Sequence, residues 1–167
     1  MKAEAINARP PREKRKRTDA PSAKQRLTVR AYMSTDPAMV SAKDPLQSVS
    51  MLLRRKDIRS VPVVDHGKLI GIVTDRDIRE VGPAYPLFRD EDEIRHYTER
   101  LTVTAAMTAD PMTISPDAPL IDAARILETH RISSLPVVEN GHLVGMITVT
   151  DLLRVFIEQN GGDRDET

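Results

Sequence analysis

The chain has 167 residues, no cysteine, 3% aromatic residues and a formal net charge of zero. This length corresponds to one domain or to two small units that share a core. The absence of cysteine excludes disulfides, thiolate chemistry and sulfur-ligated zinc. No apolar run approaches the roughly 18–20 residues of a membrane helix, and the charged N-terminus lacks the apolar segment of a secretory signal. These features favour a cytoplasmic protein without a membrane partner.

The basic charge is concentrated at the N-terminus. Residues 1–30 hold ten Lys and Arg against three acids, whereas residues 31–167 hold fifteen against twenty-two. The basic run at residues 9–17, with its prolines and few apolar residues, predicts a disordered tail over residues 1–28. Such a tail either keeps the protein soluble or binds nucleic acid or anionic lipid without specificity. The mildly acidic remainder offers no nucleic-acid face, so nucleic acid would bind only through the tail.

From Ala31 onward the sequence repeats itself at an offset of 74 residues. Between residues 31–79 and residues 105–153, 18 of 49 positions are identical without a gap. This similarity indicates two copies of one supersecondary unit. We assign residues 29–79 to the first repeat and 103–158 to the second, with a helical linker at 80–102 and a C-terminal tail at 159–167.

Both repeats predict the same elements, in the order β-α-β-β-α. A short strand surrounds Met39-Val40, and again Thr113-Ile114, and the apolar spacing then predicts helices over 45–57 and 119–131. Two strands follow around a tight turn, which is Asn140-Gly141 in the second repeat. A final helix closes each unit. Because a unit of about 50 residues is marginal alone, we expect an α/β (α+β) fold in which the repeats pack as a pseudo-twofold pair.

The last strand and helix of the first repeat meet in GIVTDRDI, which returns as GMITVTDL. Thr74 is expected at the N-cap and Asp77 at the third helical position, where both residues stabilise a helix start. The same side chains can instead hold a nucleoside, because a carboxylate accepts hydrogen bonds from two adjacent ribose hydroxyls. Gly71 and Gly145 would let a ligand or a neighbouring backbone approach closely. The residues alone leave both interpretations open.

The sequence lacks the motifs of several enzyme classes. It has no Gly-rich phosphate loop, no serine at a nucleophile elbow, and no histidine spacing typical of a metal site. We therefore expect neither a catalytic site nor a metal site.

Each copy carries an S-x-P-V-V strand and a G-h-h-T-x-x-D turn, where h is an apolar residue. Taken together over residues 29–158, these motifs resemble the cystathionine β-synthase (CBS) domain, and two in tandem resemble a Bateman module. The "DRDIRE" helix and the closing "TDLLRVFIEQNG" look most similar to bacterial stand-alone CBS pairs of the acetoin-utilisation accessory type. The resemblance implies a regulatory protein rather than an enzyme.

The resemblance also implies a ligand and its place. CBS pairs bind adenine nucleotides (AMP, ADP or ATP) or a relative such as S-adenosylmethionine in the cleft between the copies, and no other cofactor is required. At the matching positions, Asp77 and Asp151 would bind the ribose hydroxyls, and Thr74 and Thr148 would lie near phosphate or ribose. The residues implied around the adenine are Ser60, Val61, Met33 and Ala38 for the first copy and Ser134, Leu135, Met107 and Met112 for the second. The methionines could equally fill the core, and the serines could bond to nearby backbone.

The two copies differ in charge near these motifs. Arg59 and Arg76 flank the first copy, whereas Ser133 and Thr150 take their places in the second. Because arginine suits phosphate by charge and by its fork of donors, we expect two unequal sites, although surface arginines are more often merely solvated.

The resemblance further implies a homodimer formed through helices, here with the last helix at Leu152, Phe156 and Gln159, and a regulated partner protein that the sequence does not name. The alternative function is a ligand-free dimerisation platform whose basic tail binds nucleic acid or a protein partner.

Overall fold

The computed structural model describes residues 27–81, 97 and 99–161. Residues 1–26 of the predicted disordered tail, most of the predicted helical linker and the end of the predicted C-terminal tail lie outside these residues. The last two residues assigned to the disordered tail are ordered, because Thr28 pairs with Pro119 and Leu27 packs against the core of the second repeat. Residues 97, 99 and 100 are helical; the elements whose bounds lie within the described residues are five α-helices, five strands and one short 3-10 helix. In chain order they are α1 Val29–Tyr32, α2 Leu46–Lys56, β1 Ser60–Asp65, β2 Lys68–Thr74, α3 Asp75–Val81, the 3-10 helix Val103–Ala105, β3 Thr108–Ala109, α4 Leu120–His130, β4 Ser134–Glu139, β5 His142–Thr148 and α5 Val149–Asn160.

Each repeat contains an antiparallel hairpin, β1 with β2 and β4 with β5. The two central turn residues of both hairpins have positive φ: 48° and 78° at His66-Gly67, and 51° and 80° at Asn140-Gly141. Two consecutive positive φ angles match the twist of a two-residue hairpin, and Gly and Asn tolerate them best. The hairpin predicted from the sequence is therefore confirmed in both repeats.

The first predicted strand of each repeat is reduced to a single bridge. Val40 pairs in parallel with Val63 alone, and Ile114 pairs in the same way with Val137. The chain turns immediately afterwards, because the N–H of Ser41 donates to the carboxylate of Asp44 at 2.8 Å. A side chain that bonds to nearby backbone in this way competes with continued strand pairing.

The helices α2 and α4 match the ranges expected from apolar spacing. Each buries one stripe of three residues, Leu46, Val49 and Leu53 in α2 and Leu120, Ala123 and Leu127 in α4. Each also begins directly after a proline, which occupies the N-cap position and provides no side-chain cap. The first helical N–H therefore finds its acceptor elsewhere, and in α2 the N–H of Leu46 donates to the carbonyl of Leu101 at 2.8 Å.

The first residues of each repeat pack against the other repeat. Val29 is fully buried in the core of the second repeat, and Val103, which is 74 positions later, is fully buried in the core of the first. The same exchange occurs in the sheet, where Ser34 pairs with Met146 and Thr108 pairs with Ile72. Each core thus needs residues from both sequence repeats.

The strands form one sheet in the order β1-β2-β5-β4, with β3 beside β2. The two hairpins meet where Lys68 pairs with His142. These residues are 74 positions apart, so they are equivalent in the two repeats. A contact between equivalent residues lies on the pseudo-twofold axis, and the predicted mixed α/β fold with paired repeats is confirmed.

Candidate functional site

Two equivalent turns connect a strand to a helix, and we call them the first turn (Thr74–Asp77) and the second turn (Thr148–Asp151). In the first turn, Oδ2 of Asp77 accepts from the N–H and from the hydroxyl of Thr74, at 2.8 and 2.7 Å. The Thr74 hydroxyl in turn accepts from the N–H of Asp77 at 3.2 Å. The second turn has the same three bonds, at 2.9, 2.6 and 3.3 Å. Both turns are therefore capping boxes with Asp at the third position, as expected.

This geometry limits what the threonine can do for a ligand. A hydroxyl has one proton, and in each turn that proton goes to the aspartate of the same turn. The threonine can therefore accept a hydrogen bond from a ligand, but it cannot donate one to phosphate while the capping box is intact. The capping aspartate of each turn, Asp77 or Asp151, has a second carboxylate oxygen, Oδ1, that takes no part in the capping box.

The residue ahead of β1 or β4 completes each turn through its backbone. The N–H of Asp75 donates to the carbonyl of Arg59, and the N–H of Val149 donates to the carbonyl of Ser133, both at 3.0 Å. The Arg59 main chain is thus fastened to the first residue of α3. No described residue forms a hydrogen bond or an ion pair with the Arg59 side chain, which is exposed.

The two turns approach one another through Ser60 and Ser134. Their hydroxyl oxygens lie 2.7 Å apart, and either one can be the donor. Ser60 pairs with Thr74 across its hairpin, and Ser134 pairs with Thr148 across the other. The serines therefore bond to each other across the pseudo-twofold axis and not to nearby backbone, which was the alternative to a place at the adenine.

The glycine of each motif leaves room for the first residues of the other repeat. A β-carbon on Gly71 would lie 2.9 Å from the sulfur of Met107, and one on Gly145 would lie 2.9 Å from the sulfur of Met33. The sequence grouped Met33 with the first copy and Met107 with the second, whereas the structure places each methionine against the opposite hairpin. The close approach expected at these glycines is therefore made by protein.

The other residues expected to surround adenine occupy different environments. Val61 and Leu135 are fully buried core residues, so only their backbone could contact a ligand. Ala38 packs partly buried against the core of the first repeat. Met112 is 46% exposed. The exposure of these residues therefore differs, and their place around an adenine stays a prediction.

The charged side chains of α3 pair with one another. Arg79 bonds to Asp75 at 2.8 Å, and Arg76 bonds to Glu80 at the same distance. The hydrogen bond to Glu80 is the main cause that raises the pKa of Arg76 above its ordinary value. The guanidinium of Arg76, which the sequence placed near phosphate, is thus paired with a carboxylate of its own helix.

The sequence analysis missed an ion-pair partner of Asp151 in the second turn. Nη1 of Arg154 lies 3.2 Å from Oδ1 of Asp151, so both oxygens of this carboxylate are engaged. No described residue bonds to Oδ1 of Asp77. The equivalent of Arg154 in the first repeat is Glu80. The signal was available, since an Asp and an Arg three positions apart on a helix are neighbours.

A groove of about 350 Å³ lies between α2 and the segment that precedes it. None of the predicted ligand residues lines it; its walls are Met39, Val40, Asp44, Ser48, Val49, Met51, Leu52 and Arg55. Within the described part of the chain, no group of three or more His, Asp or Glu could hold a metal ion, and no helix there is long and apolar enough to span a bilayer. The basic run at residues 9–17 lies outside the described residues.

Comparison with known proteins identifies related chains. A family model described as "CBS domain" matches residues 29–83 and 103–158. A CBS domain-containing protein of Dictyostelium discoideum is 32% identical over 136 residues, which cover 80% of this chain and 93% of that protein. An inosine-5'-monophosphate dehydrogenase of Korarchaeum cryptofilum is 31% identical, but the match covers only 23% of that enzyme.

Solved structures of CBS pairs have the same fold. A protein assigned to acetoin utilization, AcuB from Vibrio cholerae, matches with a TM-score of 0.68 and 28% identity, over 82% of this chain and 98% of that one. CBSX2 from Arabidopsis thaliana in complex with AMP matches at 0.66 and 25%, over 80% and 98%. The MJ0100 CBS pair in complex with 5'-methylthioadenosine and S-adenosyl-L-methionine matches at 0.66 and 26%, over 80% and 98%.

Proposed function

This chain belongs to the CBS domain family, and on that premise we propose that it is a regulatory module rather than an enzyme. In this proposal the chain binds an adenosine ligand between its two repeats and transmits the bound state to a partner protein. The candidate ligands are AMP, ADP, ATP and S-adenosylmethionine, and the compartment is the cytoplasm.

The observation that carries the proposal is the free carboxylate oxygen of the first turn. Asp77 is half-buried, its Oδ2 is held by Thr74, and no described residue bonds to its Oδ1. A half-buried carboxylate oriented in this way offers a fixed acceptor to the adjacent hydroxyls of a ribose. The adenosine compounds bound by CBSX2 and MJ0100 support this choice of ligand class.

The position of the turns explains how binding could be transmitted. The two serines that pair with the threonines of the turns are hydrogen bonded to each other at the axis. Each core also contains residues of both repeats. A ligand that shifts one turn therefore acts on the packing of the whole pair, which is the change that a partner protein would recognise.

Titration calorimetry with the four candidate ligands tests the proposal. A hydrogen bond to a charged acceptor contributes about 1.5–3 kcal/mol, so Asp77→Asn should weaken binding about 10- to 100-fold. Asp65→Asn is the matched control, because it also removes one carboxylate charge. Asp65 is an exposed residue at the end of β1 that is distant from the first turn. The proposal fails if none of the four ligands binds at millimolar concentration, or if Asp77→Asn and Asp65→Asn behave alike.

We propose in addition that the module is a homodimer formed through α5. Four apolar side chains form one exposed stripe along this helix: Val149, Leu153, Phe156 and Ile157, with exposed fractions of 39, 55, 64 and 64%. A contiguous apolar stripe on a soluble surface is typical of a protein interface. Leu152, which the sequence placed in this surface, instead packs against the core of the second repeat.

A further inference from the structure

We propose that the two turns are unequal: the first turn binds a nucleoside phosphate, and Arg154 restricts access of ribose to the second. This inference rests on the proposed function and assigns different roles to its two sites. It depends on which charged groups near each turn already have a partner within the protein.

The first turn retains one unpaired group of each sign. The other charged residues at the start of α3 neutralise each other as Arg79 with Asp75 and Arg76 with Glu80. Among the described residues, nothing bonds to Oδ1 of Asp77 or to the Arg59 guanidinium. An acceptor for ribose hydroxyls and a donor group for phosphate are therefore both available at this turn.

The second turn retains neither group. Ser133 stands where the first copy has Arg59, and Val149 and Thr150 stand where it has charged residues. Asp151 is the one acid at the start of α5, its side chain is only 10% exposed, and Arg154 engages its Oδ1. All charge at this turn is thus paired within the helix.

The chemical consequence concerns both affinity and selectivity. A ribose that approaches Asp151 must displace a guanidinium, whereas at Asp77 the same oxygen is accessible. The Arg154 side chain is 64% exposed, and an ion pair that is screened by solvent on one side is worth up to about 1 kcal/mol, which corresponds to about a two- to fivefold effect on affinity. Phosphate is favoured at the first turn, because a guanidinium without a partner binds it through charge-assisted hydrogen bonds.

A titration followed by nuclear magnetic resonance can resolve the two sites. The backbone N–H signals of Asp77 and Asp151 report their own turns, and the probes are AMP and adenosine. With AMP, we expect the Asp77 signal to saturate at a lower ligand concentration than the Asp151 signal. Arg59→Gln should reduce the preference of the first turn for AMP over adenosine about tenfold.

The decisive variant is Arg154→Gln, which should tighten binding at the second turn about two- to fivefold and leave the first unchanged. Arg125→Gln is the matched control, because Arg125 forms an ion pair with Asp122 three positions away on α4, far in sequence from both turns. The double variant Arg76→Gln with Glu80→Arg tests the converse, since it places an arginine three positions after Asp77 without freeing the guanidinium of Arg76, and it should weaken the first site by a similar factor.

The outcomes separate this inference from the proposed function. Equal midpoints at the two turns, earlier saturation of Asp151, or no effect of Arg154→Gln beyond that of Arg125→Gln would overturn the inference while adenosine binding stands. The absence of any signal change at either turn up to millimolar AMP and adenosine, and with ADP, ATP and S-adenosylmethionine, would overturn the proposed function itself.

Discussion

The hydroxyl oxygens of Ser60 and Ser134 lie 2.7 Å apart and join the two repeats at their pseudo-twofold axis. Ser134 is buried, and each serine faces the threonine of its own turn across the hairpin. This bond therefore links the two strands that pair with the threonines of the candidate ligand sites.

Loss of one of these hydroxyls should destabilise the fold. In Ser60→Ala the buried hydroxyl of Ser134 loses its partner, so we expect the free energy of unfolding to fall by about 1–2 kcal/mol. The double variant with Ser134→Ala should cost less than the sum of the two single changes, because it leaves no unpaired hydroxyl. Urea denaturation of all four proteins measures both effects, and strictly additive costs would contradict the prediction.

The two motif glycines should differ in their tolerance of alanine. A β-carbon on Gly145 would lie 2.6 Å from the backbone oxygen of Ser34, whereas on Gly71 the nearest atom is the sulfur of a flexible side chain at 2.9 Å. Because backbone yields less readily than the end of a methionine, Gly145→Ala should be the more destabilising, by about 1–3 kcal/mol relative to the native protein. Thermal and urea unfolding test this order, and the reverse order would refute it.

The proposed dimer predicts the effect of a charge on the α5 stripe. Phe156→Glu should produce monomers, because a carboxylate buried in an apolar interface without a partner is strongly unfavourable. Glu158→Lys changes the charge by more, but on the opposite side of the same helix, and should leave the dimer intact. Light scattering coupled to size exclusion measures the mass of each variant. A native protein that is already monomeric at micromolar concentration would exclude this interface.

Deletion of residues 1–26 separates the basic tail from the ligand site. Leu27 must remain, because its carbonyl accepts the N–H of Leu120 at the start of α4. We expect AMP affinity to be unchanged, since the hydrogen bonds of both capping boxes are made by residues of the turns themselves. Retention of RNA at two salt concentrations, with and without the tail, tests the alternative function. Tail-dependent RNA binding without any adenosine binding would favour that alternative.

Local interactions explain why much of the fold could be predicted from the sequence. The hairpin turn at Asn140-Gly141, the apolar stripes of α2 and α4 and the capping boxes depend on residues no more than a few positions apart. The 74-residue repeat then doubles each signal. The ion pair between Asp151 and Arg154 is equally local and was predictable from its spacing.

The candidate site was less predictable, because its assembly depends on contacts between the repeats. The repeat places Met33 in the first copy, but the chain packs this residue against Gly145 of the second. Periodicity along one repeat contains no information about which hairpin its first residues will join.

By itself, the sequence determined the two repeats, most of their helices and hairpin strands, the family and the identity of Thr74, Asp77, Thr148 and Asp151 as paired turn residues. Only the tertiary structure decided that Ser60 bonds to Ser134, that the first residues of each repeat pack into the core of the other repeat, and that Asp77 retains a free oxygen where Asp151 does not. The reason is physical: local hydrogen bonding and apolar spacing are written into neighbouring residues, whereas the pairing of distant side chains follows from how two similar units pack.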